Sequence, residues 1–145
     1  MPVKSNKKPK RPFLVLLLCL VFAGLVVFGW IRVQQAAQNW SLEALLLGQS
    51  MPVYSVISGA AWGLAGAFPA AGLWMRLKWA VPAAWTAALF YTITFWLEKV
   101  LVLQSPMKLT NWPFDAGVTV IWLGLVALAL HLKSSREFLN RVIHD

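Results

Sequence analysis

The chain has 145 residues, 59% of them hydrophobic and 12% charged, with a mean hydropathy of +0.66 and a formal net charge of +8. A soluble domain carries about 25% charged residues, so the composition excludes an ordinary soluble globular protein and points to an integral membrane protein. The basic residues gather at the ends of apolar runs, which speaks for anionic lipid headgroups as their partner and against nucleic acid.

Residues 1–11 form a basic arm with Lys4, Lys7, Lys8, Lys10 and Arg11 and almost nothing apolar. Such a segment cannot bury a core and is expected to be a disordered, topogenic cluster on the cytoplasmic side. The first span is expected over Pro12 to Ile31. It is longer than a usual signal-peptide core, and Arg32, Gln34 and Gln35 make a poor cleavage site, so it reads as an uncleaved anchor. Cys19 lies within it and, as the single cysteine, excludes an intramolecular disulfide. Arg32 to Met51 reads as the longest connection. Within it, Asn39 to Gly48 is expected to be a short interfacial helix, with Ser41 as N-cap, Glu43 in the first turn and Gly48 ending it.

The second span, Pro52 to Trp74, has no charge and at 1.5 Å per residue would reach roughly 34 Å, enough to cross a bilayer. Ser55, Gly59, Gly63, Gly66 and Ala70 fall within about 80° on a helical wheel. Ile57, Leu64 and Phe68 lie on the opposite face. Gly59-x-x-x-Gly63 is the recurrent close-packing pattern of membrane helices, so this stripe is predicted to meet a neighbouring helix. Pro69 removes one backbone bond and is expected to bend the helix near its end. Arg76 and Lys78 make a tight basic turn. A third span is predicted from about Trp79 to Leu103 and a fourth from about Pro113 to Leu132. In the fourth, Gly117 and Gly124 form a narrow packing face beside Ile121 and Leu128. Residues 133–145 read as a short amphipathic cytoplasmic tail.

The arm, the Arg76 turn and the tail hold ten of the thirteen basic residues. The other two connections hold Arg32, Lys99 and Lys108, balanced by Glu43, Glu98 and Asp115. This asymmetry predicts an all-α, up-down bundle of four transmembrane helices with both termini in the cytoplasm.

Glu98 is the one acid inside an apolar stretch. With Tyr91 and Thr94 it sits at i, i+3, i+7 spacing, a possible polar track beside Ala84 and Ala87. The competing reading makes Glu98 interfacial, reaching water, headgroups or a base such as Lys108. Asp115 reads as a helix-start acid. Trp62 and Trp122 fall near mid-membrane, placed either to stack on a flat lipid-soluble ligand or to fill the bundle. The spans lack paired histidines for haem. The sequence shows no Cys/His/Asp/Glu cluster for a metal, no nucleophile with a base, and no phosphate loop. No cofactor and no enzymatic activity are expected.

Lys10 to Phe13, Gly59 to Leu64, Leu73 to Ala80 and the Asn111 to Phe114 opening of the fourth span together resemble a group of small four-span bacterial membrane proteins of unknown function, of the kind found in Chloroflexota-type bacteria. The resemblance implies topology, in a bacterial inner membrane, without an activity. Small multidrug transporters are similar in size, but their first-span glutamate has no counterpart between Pro12 and Ile31. The expectation is a non-catalytic protein acting through helix packing, as an accessory or assembly subunit of a larger membrane complex or as a homo-oligomer. A small carrier or channel for a hydrophobic or cationic solute would instead use Glu98. A lipid- or quinone-binding protein would use Trp62 and Trp122.

Overall fold

The computed structural model describes residues 12–102 and 111–132. The basic arm, Leu103, Lys108 and the amphipathic tail lie outside them. Five α-helices follow in chain order: α1 (Phe13–Gln38), α2 (Trp40–Leu47), α3 (Met51–Met75), α4 (Ala80–Leu97) and α5 (Trp112–His131). A π-helical turn, Glu98–Val102, prolongs α4. Helices α1, α3, α4 with the start of its π-turn, and α5 are each long and apolar enough to cross a bilayer, and no strand occurs among the described residues. The chain is an all-α, multi-pass membrane protein. Helical geometry is forced here, because a backbone inside lipid must satisfy its own N–H and C=O groups.

Helix α1 does not stop at Ile31. It runs on to Gln38, so the connection expected from Arg32 onward begins at Asn39. The reason is that Arg32, Gln34, Gln35, Ala36 and Ala37 are all competent helix formers. Polarity there marks the edge of the apolar zone, and the helix continues through it. Asn39 closes α1, with both its backbone N–H (2.9 Å) and its side-chain Nδ2 (3.0 Å) donating to Gln35 O. The same residue, rather than Ser41, precedes α2. Gly48 ends α2 at φ +105°, a conformation that a side chain would disfavour. Helix α3 passes through Pro69 and ends at Arg76, which takes the left-handed conformation (φ 59°) while Leu77 N–H donates to Gly72 O at 2.9 Å.

The spans form a ring in which α1 packs on α3, α3 on α4, α4 on α5 and α5 on α1. The α1–α3 seam is the closest. Both helices present glycine there: a Cβ built on Gly29 would stand 2.5 Å from Gly63 N and 2.6 Å from Gly59 O, so the two backbones are in contact. Gly66 is nearly as tight, its would-be Cβ 2.7 Å from the Tyr91 hydroxyl and 2.9 Å from Phe22 O. Ile57, Leu64 and Phe68, on the far side of α3, are exposed. Helix α5 is held more loosely. Val126, Ala129 and Leu130 are buried near its end, whereas Gly117, Ile121, Gly124 and Leu128 face outward, and neither glycine has an atom within 4 Å of its would-be Cβ. The core between the helices is built from Val15, Leu18, Phe22, Leu73, Ala84 and Val126.

Candidate functional site

Chemically distinctive groups gather at two places. The first is the bundle end where α1 finishes, α3 starts and α4 widens into its π-turn. Because α1 stays helical past Ile31, Arg32 is carried on a rigid element toward α4. Its Nη1 donates to both carboxylate oxygens of Glu98, at 2.9 and 3.1 Å. Tyr54, in the first turn of α3, donates its hydroxyl to Glu98 Oε1 at 2.9 Å, and the Arg32 guanidinium lies 5.8 Å from the Tyr54 ring centre. The side chains of Arg32 and Glu98 are 23% and 19% exposed, so the pair is neither a solvated surface bridge nor a fully desolvated one. The next residue, Lys99, points the other way, pairing with Asp115 in the first turn of α5 and lying 5.9 Å from the Trp96 ring. Trp96 Nε1 donates to Thr119 Oγ1 at 3.2 Å. Two successive residues of the π-turn, Glu98 and Lys99, therefore fasten the end of α4 to α1 and α3 on one side and to α5 on the other.

This arrangement separates the three residues of the expected polar track. Tyr91 donates its hydroxyl across to Trp62 O on α3, at 2.5 Å. Thr94 donates back to Phe90 O in its own helix, at 2.8 Å. Neither hydroxyl bonds to Glu98. A threonine in an apolar helix satisfies itself on the preceding turn, and that local bond is what a face diagram does not show. Glu98 finds its base in Arg32. Nothing in the local sequence marks Arg32 and Tyr54 as partners of Glu98, or Gly29 as a packing residue. The polarity that begins at Arg32 reads as a helix end, although Arg32 and the residues after it are helix formers. Gly29 stood without a second glycine at close-packing spacing.

The second place is a cleft at mid-bundle, about 260 Å³ in volume, to which all four spans contribute. Trp62 of α3, Tyr91 and Phe95 of α4, and Trp122 of α5 form its aromatic walls, with Leu25 of α1 and Val118 of α5 beside them. The two tryptophans singled out by position are thus brought to one space. Trp62 meets Tyr91 edge to face at 5.0 Å between ring centres, and Trp122 meets Phe22 at 5.7 Å. Trp62 is 9% exposed, and its indole N–H has no hydrogen-bond partner among the described residues. A buried donor left in this state costs about 1–3 kcal/mol.

Ser55, Gly59, Gly63, Gly66 and Ala70 share one side of α3 as the wheel placed them. The three glycines are buried, and Ser55 and Ala70 lie half-buried at its ends. No family model, curated protein or solved structure matches this chain.

Proposed function

We propose that this protein is a non-catalytic membrane component that works by helix packing, as an accessory or assembly subunit of a larger membrane complex or as a homo-oligomer. The observation that carries the reading is the contrast between its two small-residue faces. The α3 stripe is consumed internally by α1, whereas Gly117 and Gly124 on α5 open onto free space with Ile121 and Leu128 between and beside them. Without a hydrophobic drive between helices in lipid, association depends on close van der Waals approach, and small residues permit it. A face of this kind left outside the bundle suits a helix from another chain.

The ion-pair geometry supports the packing reading over a carrier. The Glu98 carboxylate already accepts from Arg32 and Tyr54, so it serves as a tether between helices. The charge asymmetry of the connections favours both termini on the cytoplasmic side of a bacterial inner membrane, with anionic headgroups against the basic segments.

The test is size and composition of the full-length protein extracted from its membrane in mild detergent, beside Gly117→Leu and Gly124→Leu. The expected result is a complex, with other membrane subunits or with copies of itself, that both variants dissociate while their melting midpoints stay within a few degrees of wild type. A monomer in the native membrane, or a complex indifferent to both substitutions, overturns the proposal.

A further inference from the structure

We infer that α2 is inserted in the membrane interface, its leucine face covered by the lipid around that end of the bundle. This surface is separate from the α5 face of the packing role. Leu42, Leu45 and Leu46 fall within about 100° of one another on the helix, and they are 55%, 82% and 69% exposed. Glu43, the only charged residue of α2, is turned the other way. Like Ala44 it is half-buried, and its Oε2 is buried with no hydrogen-bond partner among the described residues. A short helix facing water takes the opposite arrangement, apolar residues inward and the carboxylate out, because reversing either one costs free energy. The medium beyond α2 is therefore apolar.

Position decides what that medium is. Asn39 alone separates α2 from α1, and Gly48 to Ser50 separate it from α3, so it cannot leave the ends of two lipid-crossing helices. Arg32 of α1 and Tyr54 of α3 share Glu98 and so stand at one level, where the apolar run ending at Ile31 gives out. From that level α1 rises about 9 Å to Gln38, and α3 begins about 4.5 Å out, at Met51. The headgroup layer is about 5–8 Å deep on each side of the hydrocarbon core, so α2 lies within it or at its edge. An interfacial helix buries its apolar side about 5–10 Å into the headgroup and acyl boundary, a depth within reach from there. Trp40, 46% exposed, opens α2, and tryptophan favours the same layer. No base occurs in α2, so apolar contact rather than attraction to anionic lipid holds it.

The experiment uses the full-length protein in phosphatidylcholine vesicles, with Cys19→Ala to clear the native thiol and Leu45→Cys carrying the fluorophore NBD. A nitroxide near the headgroup end of the acyl chain is expected to quench the label about twofold or more, and a nitroxide at the chain's middle to quench it less. Leu46→Cys on the same face gives the same reading and covers the case in which the Leu45→Cys protein fails to fold. The label at Gln49→Cys, exposed but outside α2, should be quenched less than half as much. Emission as in water without quenching means that the leucine face meets water. Blue-shifted emission without quenching means that another protein or a second copy covers it. Equal quenching at Gln49→Cys and Leu45→Cys means that the probe, and not the helix, seeks the lipid. Each of these three results overturns the inference.

Discussion

Replacing Gly29 by alanine adds one methyl group at the tightest glycine among the described residues. The new Cβ would lie 2.5 Å from Gly63 N, 2.6 Å from Gly59 O and 2.9 Å from Gly63 Cα, against an ordinary contact range of 3.4–4 Å. All three atoms belong to backbone, so no side chain can rotate away, and α1 must withdraw from α3 by about 1 Å. A gap of that size forfeits a quarter to a half of the dispersion energy of each contact along the seam, and overpacking of this kind costs about 1–3 kcal/mol. By the scaling of small soluble domains this lowers the melting midpoint by roughly 3–12 °C. Cys19, 7% exposed and the only cysteine, provides the readout, because a thiol-reactive fluorogenic dye labels it as the bundle opens. Gly24→Ala is the matched control: nothing lies within 4 Å of its would-be Cβ, so it should hold or gain up to about 1 kcal/mol from helix propensity. An unchanged midpoint for Gly29→Ala, or an equal fall for Gly24→Ala, would refute the backbone contact.

Arg32→Met and Glu98→Gln should each destabilise by about 1–2 kcal/mol, between the limits for exposed and buried pairs. The double variant should lose less than the sum, and strict additivity in denaturant melts would remove the tether. Tyr91→Phe deletes the hydroxyl that spans from α4 to Trp62 O at 2.5 Å and should cost about 1–2 kcal/mol in the same melts; a neutral result would mean that the bond contributes nothing to the α3–α4 contact.

The architecture was legible because its signals are local. An uncharged run of lipid-crossing length, a glycine repeat at helical spacing and Ile57, Leu64 and Phe68 on the opposite face each need only one segment, and the α3 stripe does face a neighbour. What escaped needed two segments at once. Arg32 meets Glu98 only because α1 keeps its helical phase beyond the apolar zone, and nothing near Arg32 announces a partner in α4. Gly29 matters because it faces Gly59 and Gly63, which no single-helix wheel can show. Tyr91 and Thr94 share a face with Glu98 on paper, yet backbone carbonyls, invisible to any count of polar side chains, take both hydroxyls. The tryptophans were found by depth in the membrane, and their common cleft required the third dimension.

The ion pairs at the end of α4 bear on how the molecule meets a membrane potential. A lone charge displaced across the bilayer field exchanges about 2.3 kcal/mol for every 100 mV. Arg32 with Glu98, and Lys99 with Asp115, move as neutral couples, and the field does no net work on either. These two couples therefore add nothing to any voltage sensitivity of the bundle as long as they stay closed.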